Sequence, residues 1–512
     1  MKAFTTIIAS ILVANTMIAQ EPGSLYLDFG TGGVFTELWD DTVTQANDID
    51  VSWNGTIIVP GHIKTTDPPE EQIYVISLGR YGTILPFGNT SRGFIQDLAD
   101  VEFATSVIAL PDNKILIAGY YMPTLVYQPF VMRLFANGEI DETFADHGIF
   151  SSDEIWMEVK DIDVFGNPES YKIVLCGKDN SDYPQMIVMD QSGNLDPSFG
   201  TDGILRYESR NGYYSDIIAD NENHKLYACM ALSGGKTALA KYDLPGGTPD
   251  AAFGSGGILS SESFEDLELT FNAIVFDRSN NLLAAFGQYR HSAGDMDMCA
   301  LRVNASSGQI DLTFGVNGWA WLRSADHEEN LFAAVQQSDG KYYIGGYTNY
   351  AGDEDFMLGR LNMNGTADAT FGNNGLVLTI APFDNRIRAF ALSPSENILY
   401  TAGYSIGTEW KAMNVAAYYT GYESEPPVSD IADQASTITV YPNPVVDRIR
   451  ISTGQAGIHR VQVMDMAGKE ICLFRYKSEE FELNLESLKP SVYIIRLTLP
   501  DDHIRNYKFV KE

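Results

Sequence analysis

One short signature recurs along most of this chain and limits what the chain can become. It reads LDFGTGG at 27–33, LPFGNTSRG at 85–93, IDETFADHG at 140–148 and LDPSFGTDG at 195–203, then PDAAFGSGG at 249–257, IDLTFGVNG at 310–318 and ADATFGNNG at 367–375. The phenylalanines fall at 29, 87, 144, 199, 253, 314 and 371, a mean period of 57 residues. Self-similarity at such a period marks a repeat architecture, in which each unit buries its apolar faces against its neighbours.

Each period has one internal grammar. After the second Gly comes a short strand a (GIFSS, GILRY). A longer apolar stretch b then closes through a tight turn into strand c, as in SVIALPDNKILIAG at 106–119, AAVQQSDGKYYIGG at 333–346 and FALSPSENILYTAG at 390–403. A variable loop follows, and then strand d ends in a Gly turn, as in FVMRLFANG at 130–138 or FMLGRLNMNG at 356–365. Asn-Gly and Asp-Gly between apolar runs are hairpin signals. Four antiparallel strands in about 57 residues make a β-propeller blade. The expected fold is therefore all-β, a seven-bladed propeller over residues 20–419. A β-solenoid competes, but its turns are usually shorter than this period. The repeated Phe reads as an apolar plug between blades, and the Gly residues as turn positions with positive φ. Arg80, Arg133, Arg302 and Arg360 recur in strand d, with Lys241 in the same place; Asp141, Asp196, Asp250, Asp311 and Asp368 recur beside the Phe. Structural pairing explains them better than a ring of ligand charges.

LD-xx-FG-xx-G, then DGK-I-xx-AG, then a strand with Arg before a Gly turn resembles the delta-60 repeat family of bacterial exported proteins, over roughly residues 25–420. The match is weaker near 85, where Pro86 replaces the Asp. The resemblance implies a repeated β architecture and brings no established activity or catalytic residues.

The two ends carry addresses. Lys2 followed by an apolar run over 3–14 reads as a signal peptide, residues 1–19, too short to span a bilayer. No later stretch is long and apolar enough for a membrane span. Residues 420–437 hold Glu423, Glu425, Pro426, Pro427, Asp430 and Asp433 with no basic residue, the composition of a linker. Residues 438–512 alternate in about seven short strands and predict a small Ig-like β-sandwich. Its Tyr441-Pro442-Asn443-Pro444, Asp447, Gly468-Lys469, Tyr493 and closing Lys508-Phe509-Val510-Lys511 resemble the type A C-terminal sorting domain of the type IX secretion system of Bacteroidetes. One departure is Lys489-Pro490-Ser491, where that family usually has a Gly before the aromatic strand. The resemblance implies recognition by the secretion machinery and export across the outer membrane. It also implies removal of the tail by the sortase, then attachment to surface lipopolysaccharide or release.

Charge separates the two parts. Residues 438–512 hold 11 Lys/Arg against 10 Asp/Glu; with Lys2 set aside as well, residues 20–437 carry −36 of a chain total of −34. A surface that acidic is a poor partner for nucleic acid or anionic lipid. The four cysteines have no metal-ligand spacing; Cys176 and Cys229 hold equivalent places in successive repeats and read as buried thiols, although an exported chain permits a disulfide.

No catalytic motif is present: the seven His are scattered, with no HExxH, GxSxG or P-loop, so no catalytic residue, cofactor or metal is expected. Asp295/Asp297 and Asp353/Asp355 have a spacing calcium can use, but their equivalent repeat positions favour loop capping. The a–b and c–d connections emerge on one propeller face, and the c–d loops vary most. Tyr120, Tyr121, Tyr289, Tyr347, Tyr350, Tyr404 and Trp410 there are the ligand-binding candidates, since variable aromatic loops on a rigid scaffold suit a glycan or protein partner. The chain thus reads as an exported binding protein; the alternative is a carbohydrate-active or other hydrolytic or lyase propeller.

Overall fold

The computed structural model describes residues 21–422 apart from 38–41, 53, 66–69, 99–100, 168–169, 264–267, 291–295, 324–326, 350–353, 380–383 and 408–410, together with the strands and some turns of 439–511. The expected signal peptide and nearly all of the linker lie outside the described residues. The chain divides into two units, residues 1–424 and 425–512.

Alternating apolar positions and Gly-bearing turns give the first unit its strands. Among the described residues these form seven antiparallel sheets, six of them built from strands that follow one another in sequence and the last completed by the first strand of the chain. The second sheet is typical: Glu102–Ala109 innermost, then Ile115–Tyr121, Gln128–Leu134 and Ile149–Ser151 at the rim. Each innermost strand packs against the next blade, and the seventh returns to the first. This is a β-propeller. The sequence period and the blade are out of phase by one strand, a correction to the expectation that each period folds as a blade. The short strand after each FG turn forms the rim of the preceding sheet. Consequently the first such strand, Val34–Glu37, pairs with Lys411–Tyr419 of the last blade, Val34 opposite Ala416 and Glu37 opposite Met413.

The signature now has a physical reading. All seven phenylalanines are buried; Phe371, for example, lies among Tyr343 and Leu358 of the sixth blade and Leu399 and Ala416 of the seventh. Each such ring contributes about 1.5–3 kcal/mol. The amide after the Phe donates to the neighbouring blade's turn: Gly88 to Asn137 O at 2.8 Å, Gly315 to Asn364 O at 2.7 Å, and finally Gly372 to Pro22 O at 3.0 Å, where the N-terminal segment stands in for a further turn. Gly372 has φ +51°, and a Cβ there would sit 2.3 Å from Leu376 O.

The recurrent charges are pairs within the scaffold. Arg133 meets Asp141 at 2.7 Å, Arg302 meets Asp311 at 2.7 Å, Arg360 meets Asp368 at 2.8 Å, and Lys241 meets Asp250 at 3.1 Å. Lysines of the b–c hairpins add a second cation: Lys114 to Asp141 at 2.8 Å, Lys225 to Asp250 at 3.0 Å and Lys341 to Asp368 at 3.2 Å. The guanidinium carbons lie 4.6–4.8 Å from the centres of the Phe144, Phe314 and Phe371 rings. Where Pro86 removes the Asp, Arg80 is exposed and lies over Tyr81 instead.

In the second unit Thr439–Tyr441, Arg448–Ser452 and Glu480–Asn484 form one sheet, and Glu470–Tyr476, His459–Met464, Ser491–Thr498 and Ile504–Lys511 the other. Alternate residues (Ile449, Ile451, Val461, Val463, Phe481, Leu483, Ile495, Leu497) fill the core between them, as a sandwich requires. Tyr493 stacks on Phe509, and its hydroxyl donates to Lys489 O at 2.9 Å, tying down the turn where the family Gly is missing. Tyr441 opens the first strand; Pro442, Asn443, Pro444, Gly468 and Lys469 lie outside the described residues. Among the described residues no helix is long and apolar enough to cross a membrane. All four cysteines are free, and Cys176 and Cys229 occupy matching registers opposite Asp161 and Asp216.

Candidate functional site

The innermost strands surround a central channel, a cavity of about 530 Å³. Six of them carry a register shift at the same place, with Thr105, Lys160, Ser215, Asn272, Phe332 and Arg388 as the extra residues. Asn47 fills the matching place in the first blade, its amide donating to Pro60 O at 3.0 Å. A β-bulge re-aims a side chain and steepens the local twist, and here it turns one residue per blade toward the axis. The glycine closing strand c is the partner of that bulge. A Cβ on Gly61, Gly119, Gly177, Gly287, Gly346 or Gly403 would lie 1.8–2.0 Å from the carbonyl oxygen that the bulge pushes across. In the fourth blade Met230 stands at that register instead.

Three of these seven axial residues are occupied in holding blades together. Asn47 Nδ2 donates to Ala104 O at 2.7 Å, Ser215 Oγ to Phe271 O at 2.8 Å and Asn272 Nδ2 to Leu331 O at 2.6 Å, each reaching into the next blade. The following residues are Asp48, Asp161 and Asp216 on one arc of the channel and Ala273, Ala333 and Ala389 on the other. The carboxylates also reach across: Asp48 accepts from Val107 N at 2.8 Å, Asp161 from Ile217 N at 3.2 Å and Asp216 from Ile274 N at 2.7 Å. One layer further in, Asp50 accepts from Ala109 N at 2.8 Å and Asp163 from Ala219 N at 2.7 Å. These bonds satisfy inner-edge amides that a propeller would otherwise leave bare.

The acidic arc holds protons. Ser106 Oγ lies 2.8 Å from Asp48 and 2.9 Å from Asp161. A hydroxyl has one proton to give, so both contacts are hydrogen bonds only when one carboxyl is itself a donor. Asp161 and Asp216 are also hydrogen-bonded to each other. Burial, with the charge of Asp161 behind it, pushes Asp48 up to about 7, and burial does the same for Asp163. Asp161 and Asp216 are raised chiefly by burial.

The rest of the channel lining is aromatic and cationic. Phe103, Tyr120, Tyr213 and Phe332 line the same cavity. Lys160 is paired with Glu158, and Lys411 donates to Gln45 at 3.0 Å. Arg388 lies over Phe332 with its guanidinium carbon 4.6 Å from the ring centre, and its enclosed Nε has no hydrogen-bond partner.

The residues singled out from the sequence fall in several places. Tyr120 lines the channel, half-buried, between Phe103 and Tyr127. Tyr347 is half-buried beneath Arg386, and Tyr289 packs edge-on against Trp321. Tyr121 is half-buried in the same strand as Tyr120. Tyr404 is buried, with Lys411 over its ring, which corrects its reading as an exposed contact: it sits inside its sheet rather than in the loop. Tyr350, Trp410, Asp295 and Asp353 lie outside the described residues. Asp297 pairs with Arg323 at 2.6 Å, and Asp355 is buried at the start of its strand. No group of three or more candidate metal ligands converges among the described residues. Sequence reasoning missed the channel itself. The only available signal was the Asp-Ile-Asp of residues 48–50 and 161–163, repeated in two blades.

Comparison with known proteins places both units. Residues 110–144 and 337–371 match the model described as a domain of unknown function (DUF5122) beta-propeller, in agreement with the delta-60 type of repeat. Residues 439–512 match the secretion system C-terminal sorting domain over the whole sandwich. The tail is a sorting domain. Its presence makes this a protein secreted across the outer membrane to the cell surface, with the type IX secretion machinery as the partner of the sorting domain. No curated protein matches the chain. Among solved structures it is similar to PorZ, a surface component of the type IX secretion system of Porphyromonas gingivalis (12% identity, 91% of this chain and 70% of that one, TM-score 0.29). It is also similar to Chaetomium thermophilum Sqt1 (12%, 75% and 96%, TM-score 0.42) and to the Pseudomonas aeruginosa periplasmic gluconolactonase PpgL (12%, 66% and 89%, TM-score 0.39).

Proposed function

We propose that this is a binding protein of the cell surface or its surroundings, which takes a glycan or protein ligand at the channel mouth and the adjoining c–d loops and performs no chemical step there. The observation that carries this reading is how the channel's acidic groups are used. Asp48, Asp161 and Asp216 each accept a backbone amide of the next blade, and among the described residues no His lines the cavity. An acid/base pair must be free to meet substrate, and these carboxyls are engaged in the scaffold. The aromatic wall of Phe103, Tyr120, Tyr213 and Phe332 offers contact surface at low entropic cost. The sorting domain is cut off by the sortase at the linker, and the propeller is then attached to lipopolysaccharide or released. The test is a glycan and protein array probed with the exported chain, followed by titration of a Tyr120→Ala, Tyr347→Ala variant against whatever binds. Aromatic anchors typically contribute about 2 kcal/mol or more, so at least a tenfold loss is expected. Unchanged affinity, or turnover of an arrayed glycan, removes the reading.

A further inference from the structure

We infer that the channel mouth accepts a sugar acid, the carboxylate of a uronic- or sialic-type residue, with Arg388 as its cation; this rests on the binding reading above and names its ligand class. Four observations converge on Arg388. It is one of the bulge residues turned to the axis, and the other polar ones are used: Asn47, Ser215 and Asn272 bond to the next blade, Thr105 to Ala118 O and Lys160 to Glu158. Its Nε is enclosed without a partner, although the group lies within a domain of net −36. Arg386, two residues away, is fully engaged by Glu354. An enclosed guanidinium in so acidic a domain, with no carboxylate drawn to it among the described residues, is suited to receive an anion.

The surroundings select the anion. Tyr120 and Tyr213, from the second and fourth blades, line the same cavity, so a carboxylate seated there has phenol hydroxyls on the wall as well as the guanidinium. Phe332, beneath Arg388, and Phe103 are half-buried in the wall of the same cavity, apolar surface suited to the C–H groups of a sugar ring. The cavity, about 530 Å³, falls within the range of small-ligand sites. Burial raises the carboxyls that share the channel, Asp48 to about 7, so they repel an incoming anion less than three fully ionised groups would. An acidic peptide could supply the same carboxylate, but these broad aromatic walls and scattered small polar groups favour a ring over an extended backbone.

The test is calorimetric titration of the full chain at pH 7 with a galacturonate trisaccharide, a glucuronate-terminated disaccharide and sialyllactose. Each is matched by its counterpart with the carboxyl reduced to an alcohol, and poly-glutamate is the peptide arm. At least one acid should bind, and its reduced form should bind at least tenfold more weakly. Arg388→Met, which keeps the packing on Phe332, should abolish that difference while the melting temperature holds. Arg388→Lys should retain part of it, and is the variant to use if the Met form does not fold. No binding of any acid, equal binding of acid and alcohol, or binding of poly-glutamate alone overturns the inference. A neutral glycan or protein hit lost in Tyr120→Ala but kept in Arg388→Met overturns it too, yet leaves the binding reading standing.

Discussion

Arg133 Nε donates to Asp141 Oδ2 at 2.7 Å, and the same guanidinium lies over Phe144, so one side chain joins the polar and apolar halves of the repeat signature. Its Nη1 also reaches Gln191 O of the next blade at 2.6 Å. Replacing Arg133 with Met removes these bonds and leaves Asp141 with only Lys114 as a cation. Breaking a buried pair costs about 3–5 kcal/mol, and the remaining lysine reduces that to roughly 2. Urea denaturation of the propeller should show this loss; a change under about 0.5 kcal/mol would mean that Phe144 alone secures the junction.

Stability should peak in mild acid. Burial opposes ionisation of Asp250 and Asp368, but hydrogen bonds from Lys225 and from Thr370 bring both down to about 2. Their contribution is present above about pH 4 and is lost as pH falls toward 2. Asp48 and Asp163, raised to about 7, act oppositely: the fold keeps protons that the unfolded chain has released, so their contribution is full below about pH 4 and lost as pH rises through 7. Calorimetric melting should therefore decline from pH 5 to pH 8. Asp48→Asn with Asp163→Asn should flatten that decline more than the exposed Asp202→Asn does. A melting temperature that rises over this interval contradicts the assignment.

Gly346 should tolerate no side chain. A Cβ there meets Asn330 O at 1.8 Å, whereas one on Gly256 meets nothing within 4 Å. Gly346→Ala should cost on the order of 3 kcal/mol or prevent folding, against about 1–2 kcal/mol for the left-handed backbone at Gly256. Similar denaturation midpoints for the two variants would show that the bulge can relax.

Removing residues 21–37 takes the rim strand from the last blade and the acceptor at Pro22 from Gly372. Limited proteolysis should then cut within residues 384–419 while the second to fifth blades persist longer. Uniform resistance would show that the ring closes without this strand.

Removing residues 438–512 deletes the sorting domain. In a host with the type IX system the truncated chain should accumulate in the periplasm, and intact-mass measurement of surface material from the full chain should show loss of the tail near the linker. Normal surface display of the truncation would contradict the role of the tail.

The parts read most clearly from sequence were those that every blade must solve alike. Phe371 and its equivalents, the Arg–Asp pairs and the Gly turns recur because each junction has the same geometry. The channel was not legible for the opposite reason. At the bulge position the chain carries Asn47, Thr105, Lys160, Ser215, Asn272, Phe332 and Arg388, seven residues with little shared chemistry, so no pattern marks them. Tyr404 misled because it follows the same Gly as Tyr120 and Tyr347, yet Lys411 and Arg386 enclose it. The one-strand offset between period and blade leaves no trace in composition, since strand a looks the same whichever sheet it joins.

That offset makes the order of synthesis matter. Val34 and Ala416 are paired across 382 residues of chain, and bringing such distant segments together is slow for entropic reasons. A nascent or nicked chain therefore remains an open ring with two unpaired edges, a state prone to sticking to others. The segment that completes the ring emerges only just before the tail that addresses the chain for export. A molecule carrying its export address already has every strand needed to close, so the tail also certifies that the propeller in front of it is whole.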